Sequence, residues 1–377
     1  MRGFKDMLER HVIKYFAPGW FAVVMGTGGL ANILYQWKYV FPVGNMLGLV
    51  VAALADVLYL LILVPWVIRW ISFFEYARRD LHHPVASNFF VTMPVATIIV
   101  GTNISTFWSQ YLGGSLTFVI TTLAWMIGLA GVTFFSFYTT FRIIQFEVAP
   151  KPETINFSWI MAPIANMATL LLGNVVLIQS LSYKLTWSMS ILIMNAIMLG
   201  IGFFLFIFIS AVIFIRLVQH ALPPAELTPS FGILLSAVGL AAIAIIDTAK
   251  SAQNLGIITS ADLAYLGATI IWGFGVWVIG ITGLISIHHL RRGGIPFGLG
   301  WWAFIFPLAA YTIASQKIAS IFHSPLTFGL SAFLTILLLW LWSYVLLKTM
   351  AGAFSGKLFM GSPIPQPKEK AKSQSNY

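Results

Sequence analysis

Ten long apolar runs, separated by short polar segments, dominate the chain. Each run holds about 20 mostly apolar residues, which is the length that a helix needs to cross the hydrocarbon core of a membrane. The sequence therefore predicts an all-α integral membrane protein with ten transmembrane helices. Because the connections are short, we expect consecutive spans to be antiparallel neighbours that form five helical hairpins. The predicted spans lie roughly at 16–36, 45–68, 87–108, 115–140, 158–179, 188–215, 230–249, 263–287, 299–320 and 326–348.

The same pattern divides the chain into three parts. Residues 1–15 form a mixed-charge segment before the first span, and residues 16–350 form the transmembrane domain. Residues 351–377 are polar and rich in Lys and Pro toward the end, so we expect a disordered tail. Both end segments are predicted to be cytoplasmic.

The distribution of charge predicts the orientation in the membrane. Hydrophobic residues make up 59% of the chain and charged residues only 8%, against about 25% charged residues in soluble domains. A net charge of +10 is compatible with nucleic-acid binding, but the basic residues lie in short loops between apolar runs. Seventeen of the 21 Lys and Arg residues lie in the two end segments and in the loops that follow even-numbered spans. This asymmetry predicts a multi-pass protein of the cell membrane with both termini in the cytoplasm, and it argues against nucleic acid as a partner.

Prolines repeat in alternate spans. They fall inside or at the start of every odd-numbered span, as Pro18, Pro94, Pro163, Pro229 and Pro307. Proline removes a backbone donor and kinks a helix, and in lipid the freed carbonyl needs a neighbouring helix or a water-filled cavity. Kinks are therefore predicted at Pro94, Pro163 and Pro307. Transmembrane helices tolerate proline in general, but five prolines in alternate spans indicate an internal repeat of the kind seen in transporters.

The odd-numbered spans also carry most of the polar residues expected within the membrane. Uncharged hydroxyls and amides solvate an ion without trapping it, which conduction requires. We therefore expect five polar faces to enclose a path for an anionic small-molecule substrate. The predicted lining residues are Thr27, Asn32, Thr92, Asn103, Asn166, Thr169, Ser236, Thr312 and Ser315. Phe304 and Phe306 precede Pro307 and are candidates for an aromatic plug, although ordinary packing is the better interpretation for Phe304.

Four charged residues lie within or at the ends of spans, where charge is costly. Asp56 is near the centre of the second span, where it either bonds to a hydroxyl or titrates as the proton site of a coupled carrier. Asp247 is a second possible proton site, although it lies three residues from Lys250 and the two are expected to neutralise each other. Lys317 has no carboxylate within one turn. Together with Lys250 it predicts a basic external mouth that concentrates anions, unless Lys317 only extends to the headgroups.

The sequence gives no indication of an enzyme, a metal site or a cofactor. It has no cysteine, and it contains no HExxH, P-loop, GxSxG or EF-hand pattern. The adjacent pairs His82-His83 and His288-His289 point about 100° apart on a helix, so neither pair is a natural chelate.

Three segments carry a resemblance to a known family. The run PGWFAVVMGTGGLAN at Pro18–Asn32, the dipeptide His83-Pro84 and the run GWWAFIFPLA at Gly300–Ala309 together resemble the tellurite-resistance/dicarboxylate transporter family. This family includes malic acid transport proteins, fungal sulfite exporters, a bacterial tellurite-resistance protein and the plant slow anion channel. The resemblance covers roughly residues 16–348.

The resemblance implies a fold and a gate. Members of the family place five helical hairpins around a central quasi-fivefold pore and form homotrimers in which each protomer has its own pore. A phenylalanine on the ninth helix occludes that pore, and the motif places this role on Phe306, with Phe304 as the second choice.

The resemblance also implies a substrate class. The VMGTG run in the first span is most similar to the malic acid branch, which implies C4-dicarboxylates. The leading hypothesis is thus a passive anion conduit for malate-like dicarboxylates or small inorganic anions. The alternatives are a proton-coupled dicarboxylate carrier and a sulfite or tellurite efflux protein.

Overall fold

The computed structural model describes residues 11–145 and 152–359, and these ranges contain helices and turns without a strand. The predicted N-terminal segment 1–15 and tail 351–377 lie mostly outside the described residues. In chain order the helices are α1 (Phe21–Gln36), α2 (Val43–Ser72), α3 (Phe74–His82), α4 (Thr92–Asn103), α5 (Gly114–Ile144), α6 (Met161–Ser182), α7 (Ser188–Gln219), α8 (Ser230–Asn254), α9 (Asp262–Arg291), α10 (Trp302–Phe322) and α11 (Pro325–Phe354). A π-helical turn, Ile104–Trp108, and a short helix, Ser109–Leu112, continue α4.

Nine helical segments in the described part of the chain are long and apolar enough to cross a membrane. They contain α2 and α4 to α11, which confirms the prediction of an all-helical, multi-pass membrane protein. Helix α1 is shorter, at sixteen residues. Flanking 3₁₀ turns, Pro18–Trp20 and Trp37–Tyr39, lengthen its helical stretch at both ends.

The long helices fall into two classes by burial. Of the 18 most apolar consecutive residues in the segment that contains α8, 94% are buried inside the protein. The corresponding share for α9 is only 17%. Helices α4, α6 and α10 resemble α8 in this respect, and twelve of the sixteen residues of α1 are buried. We call α1, α4, α6, α8 and α10 the inner helices. The less buried α2, α5, α7, α9 and α11 are the outer helices.

The inner helices contact one another in a closed order. Helix α1 contacts α4, α4 contacts α6, α6 contacts α8, α8 contacts α10, and α10 returns to α1. Each outer helix packs on the inner helix that precedes it in the chain. The outer helices therefore lie between this group and the lipid, which explains their exposed Leu, Ile, Val and Phe side chains.

Each inner α-helix is preceded by a 3₁₀ turn, and this changes the predicted role of the prolines. Pro94 is the third residue of α4 and Pro163 the third residue of α6. In the first turn of a helix the missing backbone donor has no intrahelical partner to lose, so proline is tolerated there. The predicted kinks at Pro94 and Pro163 are therefore replaced by a change from 3₁₀ to α geometry at the helix start. Pro307, in contrast, lies inside α10.

Glycines allow the inner helices to approach closely. A Cβ atom on Gly239 of α8 would lie 2.7 Å from the backbone of Ala310 and Tyr311 on α10. A Cβ atom on Gly28 of α1 would lie 2.4 Å from the Ile99 side chain on α4. Small residues at such contacts drive helix packing in membranes, because lipid supplies little hydrophobic force between helices.

Helix α3 was not predicted within the basic loop between the second and third spans. It begins after Phe73 breaks α2, and it buries Ala77 and Asp80 on one side. The chain then turns at His83, whose Nδ1 accepts the backbone N–H groups of Val85 and Ala86 at 3.2 and 3.1 Å. Burial lowers the pKa of His83, which favours the neutral ring that these two bonds require.

The close packing of α8 against α10 gives a first testable prediction. Gly239→Ala places a methyl group against the backbone of α10, so we expect the free energy of unfolding to fall by about 1–3 kcal/mol. The apparent melting temperature of the purified protein in detergent measures this loss. Gly273→Ala is the matched control, because its Cβ on α9 would meet nothing within 4 Å. Equal melting temperatures for the two variants would contradict a close α8–α10 contact.

Candidate functional site

A narrow cavity lies among the five inner helices. Its volume is about 50 Å³, and every inner helix or the 3₁₀ turn before it contributes to its wall. All the lining residues come from the first half of each of these helical segments, so the five N-terminal ends lie on the same side of the molecule. The wall is made of Ala22, Met25, Phe89, Val91, Thr92, Val95, Met161, Ile164, Ala165, Ala168, Ile233, Ser236, Leu299, Gly300, Trp302, Ala303, Phe306 and Pro307.

The wall of this cavity is mostly apolar, which differs from the predicted polar lining. Of the nine predicted lining residues, only Thr92 and Ser236 belong to it. The Thr92 hydroxyl donates to the carbonyl oxygens of Phe89 and Pro18 at 2.6 and 2.9 Å. The Ser236 hydroxyl donates to the carbonyl of Ile233 at 2.7 Å. Both hydroxyls thus satisfy backbone acceptors, as buried polar groups in an apolar medium must.

The structure separates the two candidate plug residues. Phe306 is buried, with 7% of its surface exposed, and it lines the cavity next to Pro307. Phe304 lies outside the wall, where its ring meets the Trp301 ring edge-on at 5.8 Å. It also lies close to Gly232, whose Cβ would be 3.2 Å from the Phe304 ring. Phe304 thus packs between helices α8 and α10, whereas Phe306 borders the cavity.

Three predicted lining residues hydrogen-bond to outer helices instead. The Thr27 hydroxyl accepts an indole N–H at 3.1 Å, the Asn166 amide donates at 2.8 Å, and the Ser315 hydroxyl accepts an indole N–H at 2.9 Å. Their partners are, in the same order, Trp342, Ser136 and Trp272. These polar groups tie the inner helices to α11, α5 and α9 and lie outside the cavity wall, and their place on the substrate path stays a prediction.

Two more predicted lining residues bond within their own helices. The Thr169 hydroxyl donates to the carbonyl of Asn166, and the Thr312 hydroxyl donates to the carbonyl of Leu308, both at 2.7 Å. Neither residue belongs to the wall of the cavity. Such bonds leave the hydroxyl oxygen only as an acceptor for any further partner.

Asp56 lies in a polar network between α1, α2 and the third span. Its carboxylate accepts the Asn103 amide at 3.1 Å and the Trp108 indole N–H at 2.7 Å. Asn103 in turn accepts the Asn32 amide at 2.9 Å. The prediction that Asp56 bonds to a hydroxyl is wrong, since its partners are an amide and an indole. Trp108 reaches it from the π-helical turn, a feature often found at functional sites.

The charged residues near the ends of α8 and α10 form a different ion pair from the one that their spacing in the sequence predicts. Lys317 Nζ lies 2.6 Å from the Asp247 carboxylate, and the two side chains are 30% and 22% exposed. Asp247 therefore pairs across two helices with Lys317 rather than with Lys250, whose ammonium lies 5.9 Å from the Tyr265 ring centre. Lys250 and Lys317 nevertheless line the same groove of about 440 Å³, as the predicted basic mouth requires.

The apolar wall of the cavity was not predicted, because only polar side chains of the odd-numbered spans were expected to line the path. Residues such as Met25, Met161 and Trp302 look like ordinary core residues in a single sequence. A usable signal was present, since the lining residues follow the start of each odd-numbered span by similar distances. The described residues contain no group of three His, Asp or Glu side chains that could hold a metal ion.

Comparison with known proteins gives a consistent set of similarities. The family model described as SLAC1, voltage-dependent anion channel, matches residues 15–350. An uncharacterized transporter of Methanocaldococcus jannaschii is 29% identical over 351 residues, which covers 93% of this chain and 97% of that protein.

The names of some relatives state a substrate. A sulfite efflux pump of Trichophyton rubrum is 27% identical over 360 residues, covering 92% of this chain and 93% of the pump. A malic acid transport protein of Schizosaccharomyces pombe is 21% identical over 325 residues, covering 83% and 72%.

The network around Asp56 gives a second testable prediction. Asn103→Ala removes one donor from the Asp56 carboxylate and the acceptor of Asn32, so we expect the free energy of unfolding to fall by about 1–3 kcal/mol. Thr102→Ala is the control, because the Thr102 hydroxyl bonds to the Ile98 carbonyl of its own helix. Thermal unfolding in detergent compares the two variants. A loss as large for Thr102→Ala as for Asn103→Ala would show that the network adds no specific stability.

Proposed function

Because this chain belongs to the SLAC1 family of voltage-dependent anion channels, we propose that it moves small anions across the cell membrane through a passage between its five inner helices. The match over residues 15–350 confirms the family resemblance found in the sequence. The family consists of channels and transporters rather than enzymes. The observation that carries the proposal is the cavity whose wall draws on all five inner helices.

The proposed architecture has ten spans in five hairpins around a central pore. The closed order of contacts among the inner helices supports it, as does the packing of each outer helix on the inner helix before it. In this arrangement α1 is the first span, because it is buried among α2, α4 and α10. The excess of Lys and Arg on one side supports cytoplasmic termini. A homotrimer with one pore in each protomer rests on the family resemblance.

The cavity attracts anions through backbone dipoles rather than side-chain charge. The N-terminal end of an α-helix carries roughly half a positive charge, and its free N–H groups point outward. Five such ends lie on the same side of the molecule as the cavity, while no Lys, Arg, Asp or Glu contributes to its wall. Broken or terminating helices play the same part in other transporters. Weak attraction of this kind lets an anion enter without holding it.

Phe306 is the proposed gate. A cavity of about 50 Å³ holds only a few water molecules. A space this small would hinder a hydrated anion, and Phe306 provides a bulky part of its wall. Phe306 directly precedes Pro307, where the helix lacks one backbone hydrogen bond to the preceding turn.

The positions and partners of Asp56 and Asp247 favour passive anion flow over proton-coupled transport. Asp56 accepts two hydrogen bonds away from the cavity wall, and Asp247 is paired with Lys317 near the opposite end of the inner helices. A proton-coupled carrier needs a titrating group on the substrate path. Loss of proton uptake in Asp56→Asn, with anion transport also lost, would favour the carrier instead.

Two substrates are proposed, and different observations favour them. Small oxyanions such as sulfite are favoured by the narrow cavity and by the sulfite efflux pump, which aligns over nearly its whole length. C4-dicarboxylates such as malate are favoured by the VMGTG run at Val24–Gly28 and by the malic acid transport protein. We favour the first, because malate is the larger anion and requires a wider opening of the cavity.

Anion current through the purified protein in a planar bilayer tests both the passage and its gate. Phe306→Ala is expected to raise the current about tenfold, which corresponds to a barrier lowered by about 1.4 kcal/mol. Phe304→Ala is the matched control, because Phe304 lies outside the cavity wall, and it should leave the current near the wild-type value. Recording in chloride, sulfite and malate ranks the substrates.

Absence of current in both Phe306→Ala and wild type, together with intact uptake into proteoliposomes, would indicate an alternating-access carrier rather than a channel. Equal increases in current for Phe304→Ala and Phe306→Ala would contradict a specific role of Phe306 as the gate.

Substitutions at the two members of the ion pair between Lys317 and Asp247 are expected to change the anion flux in opposite directions. Lys317→Met leaves Asp247 unpaired at the mouth and should lower anion flux severalfold at 0.01 M salt, where the Debye length is about 30 Å. Asp247→Asn frees the Lys317 charge and should raise the flux under the same conditions. Both effects should nearly disappear at 1 M salt, where the Debye length is about 3 Å. Effects that do not change with salt would contradict electrostatic focusing at this mouth.

A further inference from the structure

Helix α3 presents a basic surface that plays no part in the proposed anion passage. This nine-residue helix leaves the polar parts of Arg78 and His82 exposed, while Arg79 is partly exposed. Together with Glu75 and Tyr76 these side chains line a shallow depression of about 490 Å³. We call these five residues the α3 basic surface. It lies immediately after the long apolar helix α2, at the membrane surface.

The helix that carries this surface is firmly held by the transmembrane helices on either side. On its buried side, Asp80 forms an ion pair with Arg69 of α2, and both side chains are nearly inaccessible. Arg69 also donates to the carbonyl of Tyr76 at 3.3 Å. From α5, the Tyr138 hydroxyl donates to the carbonyl of Leu81 at 3.1 Å. The α3 basic surface is thus preorganised, which lowers the entropic cost of binding a ligand.

The guanidinium groups of the surface lack partners of their own. Among the described residues, neither Arg78 nor Arg79 forms an ion pair with a carboxylate, and the buried Nε of Arg79 has no hydrogen-bond partner. Arg79 instead lies over the Tyr76 ring, 5.2 Å from its centre. Arg78 is exposed and Arg79 is partly exposed, and the planar geometry of a guanidinium matches the oxygens of a phosphate group.

Large apolar side chains border the same surface. Ile71 is 78% exposed and Phe74 is 50% exposed, directly before and at the start of α3. In water such side chains would be unfavourable next to an arginine pair. At a membrane boundary such side chains can enter the acyl region while arginines remain at the headgroups, as in interfacial amphipathic helices.

We propose that the α3 basic surface binds the phosphate of an anionic phospholipid in the membrane leaflet on its side. The arginine pair contacts the headgroup, and Ile71 and Phe74 contact the first part of its acyl chains. Apolar contacts next to the basic ones select a lipid over free phosphate. Phosphatidylcholine, whose headgroup is neutral overall, is excluded by charge, because basic residues near a membrane gain favourable energy only from anionic lipids.

Native mass spectrometry of the full chain in neutral detergent tests the proposal without any transport assay. Added phosphatidylglycerol should remain bound to the wild type in preference to phosphatidylcholine. The double substitution Arg78→Gln with Arg79→Gln should weaken phosphatidylglycerol binding about thirtyfold, because each basic residue near an anionic surface contributes about 1 kcal/mol and about 1.4 kcal/mol is tenfold in affinity. Arg78→Lys with Arg79→Lys keeps the charge but not the planar donors, and should restore only part of the binding.

The matched control is a second arginine pair on the side predicted to be cytoplasmic. Arg291 and Arg292 are exposed at the end of α9, so Arg291→Gln with Arg292→Gln should leave phosphatidylglycerol binding unchanged. Equal melting temperatures establish that all variants fold. Equal retention of the two lipids by the wild type, or equal losses for both arginine pairs, would overturn the proposal. Displacement of phosphatidylglycerol by millimolar inorganic phosphate would overturn it as well, because the surface would then be a simple phosphate site.

Discussion

The close approach of the inner helices is the constraint on which the rest of this structure depends. At Gly239 and Gly28 one helix meets the backbone or side chains of the next at distances that leave no space for a Cβ atom. Helices packed this tightly leave only a narrow space between them, and that space is lined mostly by apolar side chains from every inner helix. The width of the proposed passage is thus fixed by backbone packing first and by the Phe306 ring second.

Tight packing also determines where polar groups lie. With little room near the axis, hydroxyls and amides on the inner helices find partners on the outer helices, as Thr27 does with Trp342 and Ser315 with Trp272. In lipid these groups have no water to turn to, so an internal partner is essential. The indole N–H is suited to this, because tryptophan presents a large apolar body and a single donor. Polar residues that resemble a pore lining in the sequence therefore serve in large part to join the two layers of helices.

The sequence predicts the order of the elements better than their orientation. Apolar length identifies the spans, and nine of them are confirmed. The rotation of an inner helix about its own axis is not predicted by the sequence. Such a helix is apolar on almost every side, and its few polar groups have partners in several directions. Asp247 illustrates the limit: local spacing favours Lys250, but the structure brings Lys317 from another helix to 2.6 Å. A contact between residues 70 positions apart has no local signature. Helix α3 was missed because it is short and lacks a transmembrane apolar run.

The charges along the inner helices provide little to select one anion over another. One end is bordered by helix N-termini, the cavity wall has no charged side chain, and near the other end Asp247 offsets the charge of Lys317. An anion in the proposed passage would meet dipoles and apolar walls rather than a set of hydrogen-bond donors shaped to one molecule. With Phe306 as the proposed gate, discrimination would depend on charge sign and on the size of the anion that the ring admits. A site with a paired arginine would bind one dianion tightly and would conduct it slowly. A family that includes a sulfite efflux pump and a malic acid transport protein is therefore consistent with selection at a gate rather than at a binding site.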